Sequence, residues 1–144
     1  MICVARAHRL ISDHSLEGYA ALPGKVLVVE DNELNLKLFC DLLEVHDYEP
    51  TPVRDGGEAI ATARTVMPDL IIMDIQLPHV SGLELIAALK GDAELAAIPI
   101  LAVTAYASPA DEAAARTAGA AAYVSKPISL MRFIEAVEAL APAG

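Results

Sequence analysis

Tryptophan is absent from this 144-residue chain, which carries only two Phe and four Tyr. With so few large rings, Leu, Ile, Val and Ala must fill the interior. Cysteine is nearly as scarce. Cys3 and Cys40 stand far apart, which excludes a disulfide scaffold and a thiolate metal site and fits a reducing compartment. Positive charge is also short: 10 Lys and Arg face 20 Asp and Glu, for a formal net charge of -10. That balance repels the phosphate backbone of nucleic acid and anionic lipid, and it argues against direct DNA binding. No apolar run approaches the roughly 18 residues of a membrane span. The apolar stretch Ile2 to Ala5 stops at Arg6, well short of the about 7 to 15 residues of a signal-peptide core, so a cytoplasmic location is expected. Glycine-rich phosphate loops are missing, which removes support for nucleotide binding.

Apolar residues nonetheless make up 55% of the chain, enough for the core of one domain and too many for a disordered segment. Residues 1–24 mix charge, His and small residues without periodicity and end in Leu22-Pro23-Gly24, so they read as a tail before a domain over residues 25–144. Val26-Leu27-Val28-Val29 is a continuous apolar run, as expected of a strand buried on both faces. Asp31 or Asn32 can cap the helix that follows, in which Leu34, Leu38, Leu42 and Val45 recur at helical spacing. Tyr48 to Val53 carries Pro50 and Pro52, which cannot donate to a ladder, and therefore belongs at a sheet edge.

Further strands are expected at Leu70 to Met73, Ile100 to Val103 and Ala121 to Val124. Helices are expected after Gly57, over Ser81 to Lys90 with Leu83, Ile86 and Ala87 inward, over Pro109 to Ala118, and from Leu130 to Leu140. Strands alternating with amphipathic helices give an α/β, doubly wound, five-stranded parallel sheet. The Pro-bearing edge strand suits the order 2-1-3-4-5, whose ligand crevice lies beyond the carboxyl ends of strands 1 and 3.

The strand ends hold the informative chemistry. Strand 1 delivers Glu30 and Asp31, strand 3 Asp74, strand 4 Thr104 and strand 5, just past its end, Lys126. One carboxylate at a strand end is usually a helix cap. Three together repel by about 3 kcal/mol per pair at ~5 Å and an effective dielectric near 20, so a cation is expected among them. Oxygen-only ligands favour Mg²⁺, and without it at least one carboxyl should titrate high. Beside a divalent metal a carboxylate can attack a phosphoryl group, for which Lys126 and the Thr104 hydroxyl are suitable donors.

In order along the chain, Val28-Val29-Glu30-Asp31-Asn32, Met73-Asp74-Ile75-Gln76-Leu77-Pro78 with Ser81-Gly82, Val103-Thr104-Ala105 and Tyr123-Val124-Ser125-Lys126-Pro127 resemble the receiver domain of bacterial two-component response regulators, a flavodoxin-like fold. Glu30 to Leu43 is similar, more narrowly, to single-domain cell-cycle regulators of that family.

The resemblance implies that Asp74 is the phospho-acceptor, that Glu30, Asp31 and Asp74 hold Mg²⁺ with the Gln76 backbone carbonyl, and that Lys126 pairs with the phosphate. It makes Thr104 and Tyr123 the switch pair and puts Gln76 and Tyr106 where dephosphorylation is tuned. The implied partners are a histidine kinase or bifunctional kinase/phosphatase, docking at the first helix, and a downstream protein at the fourth helix, last strand and last helix. On this reading the chain is a signalling protein that promotes only its own phosphorylation and dephosphorylation. A cis Lys126-Pro127 bond is expected as the turn that aims the lysine.

Two other readings compete. A haloacid-dehalogenase-like, Mg²⁺-dependent phosphatase wants a second acid two residues after the nucleophile, where this chain has Gln76. A pseudo-receiver would lack an acid, the Thr or the Lys, and none is missing.

Overall fold

The computed structural model describes residues 24–105, 108–126 and 129–141. Strand β1 (Gly24–Val29) leads into α1 (Glu33–Val45), and β2 (Tyr48–Val53) is followed by a 3-10 turn (Gly56–Glu58) and α2 (Ala59–Val66). Then come β3 (Leu70–Asp74), α3 (Gly82–Lys90), β4 (Ile100–Thr104), α4 (Pro109–Ala118), β5 (Ala122–Ser125) and α5 (Leu130–Leu140). All neighbouring strands pair in parallel, in the order β2-β1-β3-β4-β5, as expected. The first strand begins two residues before the apolar run, and the last is shifted by one position from the sequence reading. β1 opens at Gly24, and β5 runs Ala122–Ser125.

The helices start where short polar side chains can accept orphan amides. Asn32 caps α1, Ser81 caps α3, Ser108 caps α4 with Pro109 in its first turn, and Ser129 caps α5. On one sheet face, α2, α3 and α4 bury Ala59, Ala63, Leu85, Ile86, Leu89 and Ala115 against Leu27, Val29, Ile71, Met73, Ile100 and Ala102. On the other, α1 and α5 bury Leu36, Phe39, Leu43, Phe133, Ile134 and Val137 against Val26, Val28, Ile72, Leu101 and Val103. Phe39 and Phe133 stack with ring centroids 4.9 Å apart, joining the first and last helices. Tyr48 is fully buried, and its hydroxyl donates to the Ala141 carbonyl at 2.6 Å, tying the start of β2 to the end of α5.

Two expected helix faces are corrected. In α1 the core takes Leu36, Phe39 and Leu43, while Leu34 (80% exposed), Leu38 (42%) and Val45 (59%) face outward. Apolar residues form two adjoining stripes on this helix, opposite the face of Glu33, Lys37, Asp41 and Glu44, so the position of the sheet decides which stripe is buried. In α3 the inward residues are Leu85, Ile86 and Leu89; Leu83 is half-buried and Ala87 exposed. In α5 the core takes Phe133, Ile134 and Val137, while Leu130 is exposed.

Candidate functional site

Because β1 and β3 are adjacent and parallel, their carboxyl ends open into one crevice. Glu30 follows β1 directly, with its amide donating to the Val53 carbonyl at 3.0 Å. Asp74 ends β3, and Ile75 continues the ladder through its amide to the Val103 carbonyl at 2.9 Å. Glu30 and Asp74 are buried, at 1% and 2% exposure, and Asp31 is half-buried. One carboxylate oxygen from each of the three lies within 4.8 Å of the others.

The backbone closes tightly around Asp74. The Gln76 amide donates to Asp74 Oδ1 at 2.9 Å, and the Gly82 amide to the Ile75 carbonyl at 3.0 Å. A Cβ at residue 82 would stand 2.3 Å from the Asp74 carbonyl oxygen, so only glycine permits α3 to begin this close to the acid. Ser81-Gly82 stands out in the sequence as part of a motif, but spacing carries no sign of this packing role. The Gln76 side chain spans to β4, where its Oε1 accepts from the Ala105 amide at 3.4 Å.

Lys126 brings the cation. Its Nζ lies 3.0 Å from Glu30 Oε1, 3.3 Å from Glu30 Oε2 and 3.5 Å from Asp74 Oδ2, and its backbone amide donates to the Thr104 carbonyl. Glu30 Oε2 also accepts from the Asn32 amide at 3.2 Å. Glu30 Oε1 is buried without a hydrogen bond among the described residues, since the nearby ammonium is poorly aligned to it. Burial, with the Asp74 charge second, pushes the Glu30 carboxyl up to about 7 against the opposing effect of Lys126. The sequence reading expected a high-titrating acid from mutual repulsion, but loss of solvent is the larger cause.

Thr104 is buried at the end of β4. Tyr123 lies on β5, half-buried against the α2–α4 face, and borders an open groove of about 900 Å³ between α4 and α5. Its phenol is held high by burial, with Asp111 and Glu112 adding to the effect. Tyr106 and the Lys126-Pro127 bond lie outside the described residues.

An all-oxygen set of three carboxylates, in which Glu30 Oε1 is buried, accepts no hydrogen bond among the described residues and is offset only by the Lys126 ion pair, fits a hard divalent cation such as Mg²⁺. The arrangement sets a buried, oriented carboxylate beside a cationic donor and an oxygen set able to hold a cation, the groups that acceptance of a phosphoryl group requires.

The sequence matches the response regulator receiver domain over residues 26–138, and the chain belongs to that family. Among curated relatives it is similar to the polar-differentiation response regulator DivK of Brucella anthropi, at 56% identity over 117 residues, covering 81% of this chain and 95% of the relative. Among solved structures it is similar to the chemotaxis response regulator CheY4 of Vibrio cholerae, with a TM-score of 0.77, 27% identity and coverage of 82% of this chain and 98% of the other. The Mn²⁺-bound form of response regulator Rcp1 superposes with a TM-score of 0.71 at 26% identity, covering 81% and 93% of the two chains.

Proposed function

We propose that Asp74 accepts a phosphoryl group from a histidine kinase and that the phosphorylated chain signals by binding a protein partner, in cell-cycle or cell-polarity control. The supporting observation is the buried Asp74 carboxylate, held by the Gln76 amide through Oδ1 and facing Lys126 through Oδ2. An Asp74 oxygen attacks phosphorus and the phosphohistidine nitrogen leaves. Lys126 exchanges part of its pairing with Glu30 for the arriving phosphoryl oxygens, and the Thr104 hydroxyl donates to another. Glu30, Asp31, Asp74 and the Gln76 carbonyl would hold Mg²⁺, which when bound neutralises charge on the phosphoryl oxygens. The similar response regulator Rcp1 is known in a Mn²⁺-bound form, which supports a divalent ion as a ligand of this fold. Thr104 and Tyr123 act as the switch pair that carries the event to α4, β5 and α5.

The exposed Leu34, Leu38 and Val45 of α1 are the apolar side chains proposed for kinase docking. Among the described residues no helix is long and apolar enough to cross a membrane; a cytoplasmic location is part of the proposal. The domain is proposed to extend over residues 25–144, after a tail of residues 1–24.

Incubation with acetyl phosphate or a phosphorylated kinase and Mg²⁺, followed by intact mass and a phosphate-affinity gel, tests the assignment. Wild type gains one base-labile phosphoryl group and Asp74→Asn gains none. Normal labelling of Asp74→Asn at another residue would overturn it.

A further inference from the structure

The sheet has two edges, and the chain treats them differently. At β2, Pro50 and Pro52 withhold donors, a device that discourages pairing with another strand. β5, Ala122-Tyr123-Val124-Ser125, has neither proline nor charge. The ladder sends the Ala121 amide inward to the Ile100 carbonyl, so by alternation the Ala122 and Val124 amides face the open edge. α4 and α5 lie on opposite faces of the sheet and flank this edge, leaving the groove of about 900 Å³ in the plane of the sheet.

The two walls of the groove differ in charge. On the α4 side Glu112 stands with Asp111 near the Tyr123 ring, and among the described residues its ion pair is with the exposed i, i+4 partner Arg116. Such a surface pair is weak, so an incoming cation can compete for this wall and also face the ring. On the α5 side Val124 and Ala136 provide apolar surface beside Arg132 and Glu135.

We propose that this slot binds an extended segment of a protein partner as a sixth strand, with cationic side chains toward Glu112 and Tyr123 and small apolar ones toward Val124 and Ala136. Backbone pairing supplies affinity and the two unlike walls supply specificity. The proposal rests on the reading of α4, β5 and α5 as the output face and names the chemistry that face recognises. A strand seated there contacts Tyr123, so rotation of that ring on phosphorylation would alter its binding.

The test uses the full unphosphorylated chain and a blocked hexapeptide alternating arginine and valine. Saturating peptide should slow hydrogen exchange of the Ala122 and Val124 amides at least tenfold and leave Tyr123 little changed. N-methylation of one alternate set of peptide amides should abolish binding, and of the other set should change it less than about twofold. Glu112→Lys, with its fold checked by melting, should weaken binding at least tenfold.

Equal loss from both methylated sets, or from neither, would mean attraction by charge alone and would overturn the proposal. So would a helical bound peptide. Sedimentation showing a dimer whose β5 amides are already protected would overturn it in favour of pairing between two copies. Asp74→Asn should lose phosphoryl labelling and keep peptide binding, so the two readings fail separately.

Discussion

Glu30 makes the stability of the metal-free protein fall as pH rises through neutrality. Its carboxyl is raised from 4.5 to about 7 in the folded chain, chiefly by burial. Between those values the folded state holds a proton that the unfolded chain has released, so stability is fully present below about 4.5 and is lost as pH climbs through about 7. The displacement corresponds to roughly 3 kcal/mol, a large share of the 5–15 kcal/mol typical of a domain. Glu30→Gln keeps the shape and cannot ionise, so the difference between variant and wild type isolates this group from the other carboxyls. Urea unfolding in EDTA at a series of pH values should show Glu30→Gln gaining on wild type by about 3 kcal/mol between pH 4.5 and 8. Millimolar Mg²⁺ should raise wild-type stability at pH 8 and have less effect on the variant. Parallel pH curves for the two proteins would refute the reasoning, because they would mean Glu30 titrates alike in both states.

Other consequences are open to measurement. Gly82→Ala places a methyl group 2.3 Å from the Asp74 carbonyl oxygen and should cost about 1–3 kcal/mol in a urea melt; an unchanged midpoint would mean the α3 start moves freely. Phe133→Ala removes a buried ring stacked on Phe39 and should cost about 3–5 kcal/mol by the same assay. Leu34→Asp with Leu38→Asp should leave stability within about 1 kcal/mol because both side chains face outward. The same pair should slow phosphotransfer from a kinase at least tenfold while sparing labelling by acetyl phosphate. Equal slowing with both donors would place the defect at Asp74 instead of at a docking face.

The sheet and its order were legible in the sequence because each buried parallel strand is a short, continuous apolar run, and because Pro50 and Pro52 mark an edge. The acids were legible for the same reason: Glu30 and Asp74 interrupt apolar runs where a strand has to end. Which side of α1 faces inward was not legible. Leu34, Leu36, Leu38, Phe39, Leu42, Leu43 and Val45 permit two stripes, and only packing against the sheet selects Leu36, Phe39 and Leu43. The burial of Tyr48 was equally hidden, since its hydroxyl finds its acceptor at Ala141, 93 residues away. Spacing along a chain carries no information about partners that distant.

The stack of Phe39 on Phe133 and the bond from Tyr48 to Ala141 bear on synthesis at the ribosome. One face of the sheet is covered by α1 and α5, which come from opposite ends of the domain. A nascent chain can assemble α2, α3 and α4 on the other face as they emerge, but Val26, Val28, Ile72 and Leu101 stay half-covered until the final helix leaves the exit tunnel. Contacts that span the chain so widely delay closure of the core and leave apolar surface open in the meantime. A stalled or truncated product lacking α5 would therefore be a client for chaperones or proteases, with an intact set of acids and no finished fold to hold them.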